Sequence, residues 1–397
     1  MTKTSTRSDL LVVGGGLAAL SVIRSVRERG DTRSIMVLAA EEGEPYDRPP
    51  LSKQVLTEGM ERDAHSLVRP SEIEGLRVEW RNGTRAVALN PEGAVITDDG
   101  RAWSADDIVI ATGAAPRPLP EALRLPGVMT LRTRDDAEVL QARLAEQGHL
   151  IIVGAGFIGL EVAASARERG CAVTVIEAAP VPLSRVLGAE VGAWFAELHS
   201  SRGVQMRCGR TIETARQASG DRVAMQLSDG ESLAGDAVLV GIGVQPTTDW
   251  IEQSGIDVTD GVLCDAQGRT SRKGVWAVGD VARWPHPTTG KPMRVEQWQS
   301  AVDQGRVVGE SLTGGPSAAV QVPYFWSDQH GKKIQFAGLS TPEHEVLHVD
   351  RESIAVMFLS EGRAVGLLTV DRPRALALGR RVLAQEGNPD AVRDLLR

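Results

Sequence analysis

The chain has 397 residues, more than one usual domain of ~100–200 residues, so two or three domains are expected. Hydrophobic residues make up 42%, enough for packed cores, which excludes a disordered chain. The net charge of −8, from 44 basic and 52 acidic side chains, excludes a general nucleic-acid binder.

Glycine, at 42 residues, is well above the usual ~7% and follows no Gly-X-Y period, so it points to tight turns and ligand-cradling loops. The three cysteines, Cys171, Cys208 and Cys264, have neither disulfide-framework nor zinc-site spacing and suit a reducing cytoplasm. The apolar runs Leu10–Ile23 and Leu150–Leu160 fall short of the ~18 residues of a membrane-spanning helix. Gly14, Gly15 and Gly16 break the first run, which reads as strand, glycine turn and helix rather than as a leader.

Those two runs belong to an internal repeat. LLVVGGGLAALSVIRSVRERG from Leu10 and LIIVGAGFIGLEVAASARERG from Leu150 align throughout. Each predicts a buried parallel strand, a glycine turn, a helix ending at Gly and a further strand, Ile35–Leu38 or Ala172–Ile176. Gly14 and Gly154 permit the tight turn. Gly16 and Gly156 let backbone N–H groups approach a pyrophosphate, and Ala19 and Gly159 let helix and strand pack closely. Leu17, Ala18, Phe157 and Ile158 open the two helices, whose N-termini favour phosphate.

An acid ~20 residues on is expected to bind a ribose hydroxyl. In the second repeat this is Glu177, which accepts from a 2′-OH and repels a 2′-phosphate, favouring NADH. Arg185 lies close enough to keep NADPH open. In the first repeat the strand ends at Ala39-Ala40, and Glu41 comes late. Two dinucleotide sites in one chain suggest a flavin beside a nicotinamide. IVIATG, which places Ala111, Thr112 and Gly113 at a strand end, and GVWAVGD, which does the same for Gly279 and Asp280, read as further flavin-side turns.

The Pro-rich stretch 114–127 reads as the crossing out of the first domain, and GIGVQP, with Gly241, Ile242 and Gly243, as the return. Expected domains are therefore an FAD-binding domain of residues 1–115 and 241–315, an NAD-binding domain of 116–240, and a C-terminal α+β domain of 316–397. In the last, strands are predicted at 322–326, 333–337, 354–359 and 364–370, a hairpin turn at 360–363, and a helix near 374–385. His344 and His348 are four apart in a stretch without helical pattern, so no metal site is expected.

EPYDRPPLSK at 44–53 and the tail motif PYFWSDQ select among flavoproteins with two such repeats. With LRT at 131–133, VGAGFIGLE, VTVIE and VEQWQSAVDQGR, the chain resembles the FAD-dependent reductases of [2Fe–2S] ferredoxins, the putidaredoxin reductase and aromatic-ring dioxygenase reductase type. The disulfide reductases of the same architecture carry a cysteine pair in the helix after the first turn; here the first cysteine is Cys171.

The resemblance implies an α/β fold of two Rossmann-like domains, glutathione-reductase-like, plus a C-terminal α+β domain. It implies FAD and NADH as cofactors and a cytoplasmic monomer or weak dimer. It places Lys53 beside the flavin ring, paired with Glu161, with Arg48 and Pro49 shaping the wall. Arg132 approaches the pyrophosphate and Asp280 the ribityl chain. Glu296, Gln297 and Trp298 close the ring site, and Ala86 joins the FAD set. Arg69, Arg306, Lys332 and Lys333 are docking candidates for an acidic ferredoxin. The ferredoxin would feed a haem-thiolate monooxygenase or a Rieske dioxygenase. The alternatives are another carrier such as rubredoxin, or an NADH-sensing flavoprotein of the apoptosis-inducing type.

Overall fold

The computed structural model describes residues 6–59, 65–315, 320–385 and 387–396. The chain divides into two compact units, residues 1–47, 65–115 and 245–324 in one, and 48–64, 116–244 and 325–397 in the other. Residues 325–397 thus cluster with the second repeat.

In the first unit, parallel strands lie in the order Val78–Arg81, Ile35–Leu38, Thr6–Val13, Ala102–Ile110 and Val275–Ala277. Leu10–Val13 and Ile35–Leu38 are buried at every position, the unalternating pattern of strands covered on both faces. The helix Leu17–Glu28 packs on the helix Trp298–Leu312 through small side chains. A Cβ added at Gly305 would lie 2.5 Å from Ser21 Cβ, and one at Gly309 2.5 Å from Ser25 Cβ. Ser25 Oγ donates to the Arg306 carbonyl at 2.9 Å.

The second unit repeats the plan, with parallel strands in the order Gln205–Cys208, Ala172–Glu177, His149–Val153, Ala237–Val240 and Val128–Met129. Its helix Phe157–Glu168 follows the second glycine turn. Residues 324–370 form a five-stranded sheet in the order Tyr324–Gln329, Lys332–Gly338, Arg363–Val370, Ile354–Ser360 and His344–Val349. Two hairpins close on two-residue turns, His330-Gly331 with φ of 52° and 75°, and Glu361-Gly362 with φ of 52° and 73°. Positive φ at both positions is what a type I′ turn requires.

The strand His344–Val349 and the helix Pro389–Asp394 are additions to the sequence expectation. The strand lies at the sheet edge, and its pairing shifts between Val346 and His348, which breaks the alternation a strand needs to be read. The helix Pro373–Ala384 occupies the expected place.

The helix Ala189–Ser201 carries a fully buried histidine, His199. Burial pushes its imidazole from 6.5 down to about 4, so it stays neutral in the folded chain. Between those values the unfolded chain binds the extra proton, so stability falls as pH drops from about 6.5 towards 4. The loss from this one group approaches ~1.4 kcal/mol per pH unit. Urea unfolding from pH 7 to 4.5 is expected to show a shallower pH slope in His199→Gln, by nearly one proton; an unchanged slope would contradict the neutral buried imidazole.

Candidate functional site

Each repeat ends its first strand in the same construction. Gly14 N–H donates to the Leu38 carbonyl at 2.8 Å, and Gly154 N–H to the Ile176 carbonyl at 2.8 Å. The next strand of each sheet arrives alongside: Ala111 N–H donates to the Val13 carbonyl, and Gly241 N–H to the Val153 carbonyl, both at 2.8 Å. Gly14 (φ +115°) and Gly154 (φ +102°) are obligatory, because a Cβ would stand 2.2 Å from the Ala111 oxygen in one and 2.4 Å from the Gly241 oxygen in the other. Gly159 is equally fixed, its missing Cβ lying 2.3 Å from the Gly154 oxygen.

Gly16 and Gly156 behave differently. A Cβ on either would meet nothing within 4 Å. Both are N-caps of twelve-residue helices, with no side chain capping them and no acid in the first turn. Each cradle therefore offers unshielded helix N–H groups, a partial positive charge and open space, all at a point where strand order reverses. That chemistry fits a dinucleotide pyrophosphate.

The residues expected on the flavin side lie in the first unit's helices, strands and turns. Ala18 is buried with its Cβ 2.9 Å from where a Gly279 Cβ would stand, and Gly279 N–H donates to Gln304 Oε1 at 2.8 Å. Leu17 and Ala19 open the helix, Ala86 opens the strand Ala86–Leu89, and Gly113 follows Thr112, whose hydroxyl donates to the Thr247 carbonyl at 2.9 Å. Asp280 is half-buried in the turn Gly279–Val281. Trp298 Nε1 donates to Asp47 Oδ1 at 2.8 Å, and Glu296 is held by Arg294. Among the described residues the buried side-chain oxygen of Gln297 has no hydrogen-bond partner, so this polar atom suits a bound group. Ala39, not Glu41, stands where the second repeat has Glu177; Glu41 accepts from the Tyr46 hydroxyl at 2.5 Å. Trp80, outside every sequence motif, lies beside Ala39 and Gly15, and among the described residues its buried indole N–H has no hydrogen-bond partner. Its only sequence signal was an aromatic at the end of a strand.

In the second unit, Lys53 and Glu161 form a buried ion pair with Nζ 2.8 Å from Oε2. Lys53 Nζ also donates to the Pro49 carbonyl at 2.9 Å. The carboxylate accepts from Ser52 Oγ at 2.5 Å and from Ser327 Oγ at 2.6 Å. Both serines lie inside PYDRPPLSK and FWSDQ, yet neither was singled out from the sequence. Arg48 donates to the Arg132 carbonyl at 2.6 Å, and Arg132 N–H to Asp136 Oδ2 at 2.9 Å, in the cap of the helix Arg134–Ala145.

Around the second cradle, Glu177 accepts from Ala155 N–H at 2.7 Å and Ala179 N–H at 2.8 Å, which aligns its carboxylate with the glycine turn. Ile158 and Ile242 are 42% and 40% exposed, unusual for isoleucine and consistent with walls for an apolar ring; Phe157 is half-buried and Gly243 exposed. Arg185 is exposed. The nearby arginines are already paired, Arg207 with Glu231 at 2.8 Å and Arg210 with Asp229 at 2.5 Å. Glu177→Ala is expected to narrow the preference for NADH over NADPH about tenfold, because a 2′-phosphate then meets no carboxylate. The ratio of the two kcat/KM values checks it, and an unaltered ratio removes Glu177 from the ribose.

Burial raises all three thiols, that of Cys264 to about 12, so none is a ready nucleophile. Of the docking candidates, Arg69 is exposed, Arg306 pairs with Glu310 at 3.0 Å, Lys332 with Glu352 at 2.8 Å, and Lys333 with Asp328 at 3.1 Å. Among the described residues no helix is long and apolar enough to cross a membrane, and no cluster of three or more His, Cys, Asp or Glu is placed to hold a metal ion.

Residues 8–305 match the family model described as pyridine nucleotide-disulphide oxidoreductase, and residues 324–395 match the reductase C-terminal model. The chain is 35% identical to rhodocoxin reductase of Rhodococcus erythropolis over 95% of its length and 90% of the relative's. It is also 35% identical to the benzene 1,2-dioxygenase system ferredoxin–NAD(+) reductase subunit of Pseudomonas putida, over 95% and 92%. The structure of a covalent putidaredoxin reductase–putidaredoxin complex superposes with a TM-score of 0.92 at 28% identity, covering 99% of both chains. The duplicated cradles and these matches agree: the chain belongs to the pyridine nucleotide-disulphide oxidoreductase family, in the branch that carries the reductase C-terminal domain.

Proposed function

We propose that this chain is an FAD-dependent ferredoxin–NAD(+) reductase that takes electrons from NADH and passes them to a [2Fe–2S] ferredoxin of an oxygenase system. The carrying observation is the pair of equivalent open cradles, of which the second has a carboxylate, Glu177, where the first has Ala39. The first repeat, with residues 1–115 and 241–315, is the FAD-binding part; residues 116–240 bind NADH, and 316–397 form the C-terminal domain.

FAD, when bound, supplies the step the protein has no group for, accepting electrons in pairs and releasing them singly. The chain's own residues bind and orient. The helix N-termini at Gly16 and Gly156 hold the two pyrophosphates, and Glu177 holds the NADH ribose. Lys53 presents a fixed cation to the flavin ring, and Glu161 keeps that cation in place and balanced. Asp280, Glu296, Gln297 and Trp298 are the first unit's candidates for lining the FAD, and Arg48, Pro49 and Arg132 are assigned to it by resemblance. The exposed basic side chain at Arg69 leads the docking candidates, ahead of Arg306, Lys332 and Lys333, each of which pairs with an acid of this chain.

The test is anaerobic mixing of the yellow protein with one equivalent of NADH, followed by an oxidised [2Fe–2S] ferredoxin. Rapid bleaching at the flavin band and then reduction of the ferredoxin is the expected sequence. A persistent long-wavelength charge-transfer band without ferredoxin reduction would reject the electron-transfer reading for that carrier. Arg69→Glu is expected to lower ferredoxin kcat/KM about tenfold at low salt while ferricyanide reduction persists. If both activities fall together, Arg69 is not a docking residue.

A further inference from the structure

Glu161 is the end of a longer chain of contacts. Ser327 Oγ lies 2.6 Å from Glu161 Oε1, Gln329 Nε2 2.9 Å from Ser327 Oγ, His199 Nε2 2.9 Å from Gln329 Oε1, and His330 Nε2 3.1 Å from His199 Nδ1. Ser327, Gln329 and His199 are 0–1% exposed, and the two imidazoles meet edge to face with centroids 4.6 Å apart. None of these groups has a part in binding a nucleotide as described above.

The contacts have one consistent direction. A carboxylate only accepts, so Ser327 spends its single proton on Glu161. The serine oxygen must then accept from Gln329, which turns the amide nitrogen towards it and leaves the amide oxygen facing His199. His199 must donate through Nε2, and its Nδ1, unprotonated in the neutral ring, accepts from His330 Nε2–H. Burial keeps both imidazoles neutral, at about 4 for His199 and about 3 for His330. The strand Tyr324–Gln329 places Ser327 and Gln329 two residues apart on one face, and the I′ turn sets His330 over His199.

We propose that Ser327, Gln329 and His199 are positioning residues, an oriented hydrogen-bond chain that fixes the Glu161 carboxylate and, through it, the Lys53 ammonium. The proposal rests on the reading that Lys53 and Glu161 serve hydride transfer to FAD. Without the chain, Glu161 loses one of its three side-chain donors and turns within its pocket, and the cation it balances follows.

The experiment is stopped-flow reduction of the FAD-loaded protein by NADH, across a range of NADH concentrations, with Lys53→Ala measured alongside. Gln329→Leu, of similar size but unable to bond, is expected to lower the limiting rate about tenfold. FAD content should stay full and the Kd for NADH within twofold. His199→Phe should do the same, and His199→Gln, which keeps a donor towards Gln329, should recover to within threefold. Should either bulky variant fail to fold, Ser327→Ala cuts the same chain with the smallest change. If these variants reduce as fast as the parent while Lys53→Ala is slow, the relay is wrong and the ion pair's role stands. Loss of FAD, or a rise in Kd that accounts for the slower rate, also overturns the proposal by making the chain merely structural. A normal rate in Lys53→Ala removes the ion-pair reading and the relay together.

Discussion

Lys53→Ala should slow flavin reduction by NADH about 100-fold while FAD stays bound. The lysine is fixed on two sides, by Glu161 at 2.8 Å and by the Pro49 carbonyl at 2.9 Å, so its charge needs no rearrangement to act. Removing one preorganised electrostatic group from an enclosed site typically costs ~10²–10³ in rate. The substitution also leaves Glu161 buried without its counter-ion, which costs stability of the order of 3 kcal/mol. The double variant Lys53→Met/Glu161→Gln separates the two effects. Its stability should recover, because no lone charge is buried, while reduction stays slow. Anaerobic stopped-flow spectra and urea unfolding of both variants decide it. A double variant that regains speed with stability would show that the pair only holds the fold.

The second large effect comes from filling the cradles. Gly16 has φ −91° and Gly156 φ −78°, angles open to any residue, and a Cβ at either meets empty space. A valine there should therefore leave the fold intact and exclude only what the cradle holds. Gly16→Val is expected to purify colourless, its FAD affinity reduced at least about 100-fold, or ~2.7 kcal/mol. Gly156→Val should remain yellow, reducible by dithionite, and almost unreactive to NADH. The crossed result, colour lost in Gly156→Val and kept in Gly16→Val, would exchange the two assignments. Comparable valines at Gly14 or Gly154 would be uninformative, since they collide with backbone oxygens and strain positive φ.

The parts of this architecture legible in the sequence are those governed by short-range backbone geometry. Gly14 and Gly154 could be read because a turn at positive φ against a neighbouring strand tolerates no other residue. The strands Ile35–Leu38 and Ala172–Ile176 could be read because burial on both faces favours apolar runs, broken in the second by Thr174 alone. The edge strand His344–Val349 could not, because a shift in pairing erased its alternation. The Lys53–Glu161 pair came only through resemblance, and the structure shows why: the two lie 108 positions apart, on separate segments. The same holds for Ser52 and Ser327, 109 and 166 positions from Glu161. His199 carried no local signal at all, since a single histidine on an apolar helix says nothing of the strand it will face.

The close packing of the helix Leu17–Glu28 on the helix Trp298–Leu312 has a consequence for biosynthesis. Ser25 meets its partner Arg306 across 281 positions. At ~5–20 residues per second, the ribosome delivers that partner roughly 15–60 s after the serine. Throughout that interval the small-residue face of the first helix, with Ser21 and Ser25, is uncovered, and the intervening segment 116–244 emerges whole. The nascent chain must then keep its beginning unaggregated until its later part arrives, so this protein should depend on chaperone protection early in translation more than its modest length suggests.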